Sequence, residues 1–478
     1  MLTTDPQVKQ AVEKELRLAA PVSTEEIEVQ VTDHIVLLTG ETGNLLARQM
    51  AGQVALTVKG VTGVVNQISV APAASITDAQ VVERIRDRLK TNPATENWQI
   101  DVDVQGGTVM LQGFVDSYQE KELAGKLAMS VKGVQKLEND LKFDYDEVRP
   151  DEEIAAEVKQ SLRWDIRVDH ALIDVSVDNN KVKLSGKTGS GMERMLAIGN
   201  AWVNGVDNVD ADELQVDATV PRQQLRDNKY VQPDDNEIGS AVSTALLLDP
   251  RLKNQDIDVQ VESGKVVISG AVPSLKAHRK IESIASNIVG VSAVRNLTEV
   301  SSGSGYEQNP RLSGKIYEVI AADPYLDNSE VKVEAYGGIV FLSGQVDTYY
   351  QVMRADDLVS DLKGVKQIKN NLQIDKSFSV GQYGPYNWYP YKDEGVTNEK
   401  RKITTDNELA EEVQYQLWWS PYVQEDNIEI SVDNGMVLLE GTVQSRNEEQ
   451  YAIINAWEAG ARQVRSQLEI DVDMEQND

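Results

Sequence analysis

Residues 131–143 read VKGVQKLENDLKF and residues 362–374 read LKGVKQIKNNLQI. They lie more than two hundred residues apart and share one spacing: apolar, Lys, Gly, Val, two residues, apolar, a charged residue, Asn, then hydrophobic alternation. A repeat explains this, and repeats decide a fold before motifs do. Upstream of each stretch stands a second landmark, a short apolar run ending in Gly. It recurs as VLLTG to Gly40, VMLQG to Gly113, VKLSG to Gly186, VVISG to Gly270, VFLSG to Gly344 and VLLEG to Gly441. A further glycine follows 19 or 20 residues later: Gly60, Gly133, Gly205, Gly290, Gly364 and Gly460. The signature asparagine is present in four copies, at Asn66, Asn139, Asn296 and Asn370, and is replaced by Ala211 and Ser466 in the third and sixth. The chain is six copies of about 70 residues.

Each copy opens with apolar residues four apart, such as Val8, Val12 and Leu16, or Ile154, Val158 and Leu162. That spacing predicts one face of an amphipathic helix. Strict alternation follows, as in IDVDV (100–104) and IEISV (428–432), the mark of a strand covering a core on one side. Turn residues such as DNNK (178–181), ESGK (262–265) and DNG (433–435) lead into the apolar strand, which is expected to end at the first glycine. A second helix fills the gap between the glycines, and the second glycine suits a helix C′ position with positive φ. A third strand, for instance LENDLKF (137–143), closes the copy. The predicted class is α+β: six tandem α-β-β-α-β units, each a three-stranded sheet with two helices on one face. The expected boundaries are 5–72, 78–146, 150–217, 234–301, 308–375 and 405–474, with an aromatic-rich insertion at 376–404.

The order of elements, the apolar run ending in Gly and the V-K-G-V-x-x-apolar-x-N signature resemble the BON domain. The resemblance covers nearly the whole chain and is weakest in copy six, where AGARQVRSQLEI (459–470) departs from the signature. It implies non-enzymatic modules of bacterial envelope stress proteins, often periplasmic, associated with phospholipid surfaces, potassium sensing or protein assembly. The unit is also similar to the ring-building modules of secretion machines, which associate side by side.

Composition narrows the partners. Of 478 residues, 77 are acidic and 47 basic, giving a net charge of −30. A field of that sign repels phosphate backbones and anionic lipid, so no nucleic-acid partner is expected, and it attracts cations without selecting one. Cysteine is absent, which removes disulfides and thiolate chemistry. The start MLTTDPQVKQ has no basic and apolar leader. A cytoplasmic location is the expectation for the sequence as it stands, and a periplasmic one if the chain is a processed mature form.

No catalytic constellation emerges, and no cofactor or metal is expected. The string SGKTGSGMER (185–194) imitates a phosphate loop, but Met192 and Glu193 stand where Lys and Ser or Thr are required. DNVDADE (207–213) has Val209 and Asp212 at the third and sixth places of a calcium loop, which need an oxygen ligand and a glycine. His34, His170 and His278 occupy different points of the repeat. Asp101 and Asp103 lie on the polar side of a strand with no nucleophile or base beside them.

The insertion is different. Phe378, Tyr383, Tyr386, Trp388, Tyr389 and Tyr391 put six of 27 aromatics into 14 residues, and LWWSPY (417–422) adds Trp418 and Trp419. Large aromatics in a Gly/Pro-rich segment usually meet something. A neighbouring unit, a protein partner or second copy, and a lipid or carbohydrate are the alternatives. These eight residues form the candidate interaction surface. The expected activity is that of a non-enzymatic scaffold associating with itself or another protein, with a peripheral membrane binder and a cation sensor as alternatives.

Overall fold

The computed structural model describes residues 3–18, 27–72, 76–145, 149–217, 219–220, 224, 233–301, 309–326, 329–346, 349–374, 405–420, 422–459, 461 and 463–470. Within them the chain is α+β, and the same unit recurs six times. Repeat 2 shows it plainly: helix Asp78–Thr91, strands Ile100–Gln105 and Thr108–Val115, helix Tyr118–Met129, then short strands Lys136–Asn139 and Lys142–Phe143. The second strand is central. It pairs antiparallel with the first and parallel with the third, so the second helix is a crossover connection. Each repeat encloses its own apolar cluster; in repeat 3 Ile154, Val158 and Leu162 from the first helix meet Val182 and Leu184 from the central strand.

Two-residue turns join the hairpins, with positive φ at both positions: 55° and 74° at Gly106 and Gly107, 49° and 61° at Asn179 and Asn180. This is the turn whose twist matches the strands it joins. The first residue of the first helix grips it. Asp78 accepts hydrogen bonds from Gly106 N (2.8 Å) and Gly107 N (3.0 Å), and Asp151 does the same for Asn179 and Asn180. Asp5, Asp235 and Asp406 repeat the clamp in repeats 1, 4 and 6. Repeat 5 has Asn309 at this place.

Two expectations about the glycines need correction. The central strand does not end at the first glycine but continues two residues past it, to Val115 beyond Gly113. Glycine is needed there because a Cβ on Gly113 would stand 2.6 Å from the backbone oxygen of Gln99, where the first strand begins. The second glycine is not the residue after the helix cap. In repeat 2 the cap is Ser130 and Gly133 lies three residues on, in the turn that leads to the third strand. Its φ of 99°, and 92° at Gly364, still place both in the left-handed region that glycine favours.

The signature asparagine ties the third strand to the second helix. Asn139 Nδ2 donates to Lys121 O at 2.8 Å, and Asn66, Asn296 and Asn370 make the same bond in their repeats. Where the asparagine is missing, other side chains serve. Arg194 reaches Ala211 O and Leu214 O in repeat 3, and Ser466 Oγ donates to Glu449 in repeat 6.

Candidate functional site: contacts between repeats

A helix leaves its last carbonyls without partners. In three repeats the carbonyl of the fourteenth and last residue of the first helix finds one in another repeat. Trp419 O accepts from Lys59 N at 3.1 Å, Ala322 O from Lys132 N at 2.9 Å and Trp164 O from Val289 N at 3.0 Å. The donor in each case is the residue just before the second glycine. One contact is thus used three times, joining repeat 6 to 1, 5 to 2 and 3 to 4.

The surrounding side chains differ. In the 6/1 contact Trp419 is buried within repeat 1's core cluster. Trp418 packs edge-on against it at 4.6 Å, with Lys59 Nζ 4.8 Å over its ring. Lys14 bridges Glu412 at 2.6 Å and lies 3.6 Å over Tyr415. The 5/2 contact is ionic. Asn92 donates to the Asp361 carboxylate at 2.8 Å and Lys363 pairs with Glu96 at 3.0 Å, while within repeat 5 Arg354 meets the fully buried Asp323 close to Arg88 of repeat 2. Burial beside that arginine pulls the Arg88 guanidinium down to about 10. In the 3/4 contact a second backbone bond, Ile166 N to Asn287 O at 2.9 Å, joins the first. Burial raises the Asp165 carboxyl, but the Arg167 fork and Asn200 outweigh it and hold the group at about 2.

A cavity of about 1130 Å³ opens where repeats 3, 4 and 6 meet. Trp164, the Asp165–Arg167 pair, Lys280 and the stacked rings of Tyr422 and Tyr451, 4.2 Å apart, line it. Burial, aided by nearby Arg251, Lys126 and Arg167 and opposed by Asp249, pushes the Lys280 ammonium down to about 8. Gln450 Oε1 is buried there and no donor reaches it among the described residues.

The residues singled out from sequence scatter. Phe378, Tyr383, Tyr386, Trp388, Tyr389 and Tyr391 lie outside the described residues, as does Gly460. Trp418 and Trp419 join repeats 6 and 1. In SGKTGSGMER, Ser190 caps the second helix of repeat 3 and Gly191 N donates to Val61 O of repeat 1 at 3.2 Å. DNVDADE runs from Asp207 into the third strand, Asn208–Val216, and Asp101 and Asp103 belong to an exposed strand face. His34 forms half of a hairpin turn, and His278 Nδ1 sits 2.8 Å from Thr298 Oγ1. Two features went unread: the clamping aspartates and the helix-end contacts. The first had a signal, an Asp three residues before the first apolar helix position and 28 before the turn. The second had none.

Known proteins place this unit. The BON domain model matches residues 4–72, 77–145, 150–218, 234–302, 309–376 and 405–471. Osmotically-inducible protein Y of Escherichia coli (strain K12) is 32% identical over 145 residues, which is 29% of this chain and 72% of that protein. Outer membrane lipoprotein DolP of Haemophilus influenzae is 28% identical over 141 residues, again 29% and 72%. Among solved structures, the C-terminal domain of CdsD, the structural protein of the Type III secretion system of Chlamydia trachomatis, is 13% identical. It covers 50% of this chain and 100% of that one, with a TM-score of 0.13. Six matches that together span most of the 478 residues decide the matter: this chain belongs to the BON domain family.

Proposed function

We propose that this protein is a non-enzymatic BON scaffold of the bacterial envelope or stress response, working through protein–protein association. The observation that carries the reading is the helix-end contact used three times within one chain. A module whose backbone meets its own kind at the same two positions, with unrelated side chains around them, is built for association. The named relatives agree in kind, one being osmotically inducible and one an outer membrane lipoprotein. A net charge of −30 disfavours anionic lipid as the main partner. Mass photometry of the intact chain, run beside flotation with vesicles of neutral and of anionic lipid, tests this. Association with itself or a captured envelope protein, without flotation, is the expected result. Flotation with anionic vesicles and no protein association would replace the scaffold by a membrane binder.

A further inference from the structure

The numbers of the paired repeats, 1 with 6, 2 with 5 and 3 with 4, always sum to seven. Each pair therefore joins the first half of the chain to the second, and the second half runs back along the first. Within the first half the repeats touch in a closed triangle. Leu45 of repeat 1 enters the core of repeat 2. The Tyr118 ring of repeat 2 stacks on Trp202 of repeat 3 at 4.2 Å, and Gln119 donates to Trp202 O at 2.9 Å. Gly191 of repeat 3 returns to Val61 of repeat 1, so close that a Cβ there would be 2.9 Å from Leu56. In the second half Lys276 of repeat 4 meets Asp357 of repeat 5 at 2.9 Å, and Arg279 meets Asp356. Diagonal contacts add to the pairs: Lys253 of repeat 4 reaches Asp116 of repeat 2 at 3.0 Å.

This connectivity, a triangle of contacts within the first half and paired contacts between the halves, sets two three-repeat arrays face to face. We propose that the face of repeats 1–3 is a recognition surface whose partner is a three-repeat BON array, repeats 4–6 of a second copy, docked as those of the same chain dock here. Repeats 1 and 2 of the face ask for a first helix whose last carbonyl meets Lys59 or Lys132, a large side chain for repeat 1's core, and a lysine and an aspartate facing Glu96 and Asn92, while repeat 3 offers its own helix end, Trp164, to repeat 4. The second half meets all three demands. Closure also accounts for the glycine at 191, where a side chain would hold repeats 1 and 3 apart.

The inference rests on the association reading above and fails separately from it. A protease site inserted between Asp217 and Asp234 of the full chain is cleaved, and native mass spectrometry is run at micromolar concentration. The halves are expected to remain a 1:1 complex. Mixing cleaved protein labelled with nitrogen-15 and cleaved unlabelled protein is expected to give hybrids of intermediate mass. Lys363→Glu, an exposed change, should weaken the complex several-fold, and adding Glu96→Lys should restore it. Trp419→Ala should weaken it at least tenfold. Halves that separate or aggregate once cut, or that form no hybrids on mixing, overturn the proposal. So does a complex that neither the charge reversal nor the tryptophan change affects. In either case the association of the intact chain, measured independently, would still stand or fall on its own.

Discussion

The 6/1 and 3/4 contacts begin alike. Each offers a tryptophan at the end of a first helix, and each main-chain oxygen accepts from the residue before the second glycine. They diverge at the next two positions. Repeat 3 continues with Asp165 and Ile166, repeat 6 with Ser420 and Pro421. Asp165 is a buried, charge-paired carboxylate and Ile166 donates a second bond; proline carries no N–H to do so. In place of these, the 6/1 contact has a tryptophan sunk into another repeat's core and two lysines over aromatic rings. The backbone contact is common to both meetings, while the side chains decide what disturbs each.

The largest difference should come from the two tryptophans. Trp419 is 7% exposed, whereas Trp164 is half-buried at the cavity wall. Trp419→Ala should cost about 3–5 kcal/mol, read as lost hydrogen-exchange protection in repeat 1. Trp164→Ala should cost clearly less in repeat 4, and equal losses would erase the distinction.

Acid should separate the contacts next. The Asp165 carboxyl lies at about 2, below its ordinary value of 3.8. A depressed carboxylate stabilises above its unfolded pKa, and that stabilisation fades as pH falls through the folded one. Repeat 3, whose own Arg167 and Asn200 cause the depression, should therefore lose on the order of 2 kcal/mol between about pH 4 and pH 2, and the 3/4 contact that its helix end makes should loosen with it. The 6/1 contact has Ser420 there and should hold better. Exchange protection of Val289 and Lys59 along the acid titration reads both, and parallel loss would contradict the assignment.

The third pair, 5/2, sharpens the role of the glycines. Gly133 and Gly364 share positive φ, but a Cβ on Gly133 meets Val81 at 2.9 Å while one on Gly364 meets nothing within 4 Å. Gly133→Val should destabilise repeat 2 by about 1–3 kcal/mol through backbone strain and crowding. Gly364→Val should show the strain alone, a smaller fall in the melting of repeat 5.

The smallest expected effect makes the two contacts alike. Ile166→Pro removes one backbone bond and gives repeat 3 the residue that repeat 6 already has, at a cost of about 1 kcal/mol. Unchanged denaturant midpoints would mean that the Ile166–Asn287 bond contributes nothing.

Much of the unit was legible because its signals are local. The four-residue spacing in Val8, Val12 and Leu16 and the alternation in IDVDV report a buried face directly, and the structure has a helix and a strand there. The glycines were legible as special backbone but misplaced by a few residues. Nothing local tells a helix C′ position from a turn three residues on, or shows that Gln99 O crowds Gly113. The contacts between repeats were not legible at all. They rest on helix-end carbonyls, which every helix has, meeting amides more than a hundred residues away. Trp419 was visible as an unusual aromatic, yet its destination in repeat 1 depends on how six units come together.

The pairing by sevens has a mechanical meaning. Pull repeats 1 and 6 apart, and the 6/1 contact lies directly in the line of load, with repeat 1's contacts to repeats 2 and 3 sharing the strain. Once it parts, more of the force reaches 5/2, and then 3/4, whose two repeats are, of the three pairs, tied by the shortest stretch of chain. Tension would open the molecule as a zipper of domains, from the ends toward the middle. Its extension should rise in three lengthening steps, each set by a contact of different chemistry: aromatic, then ionic, then doubly hydrogen-bonded.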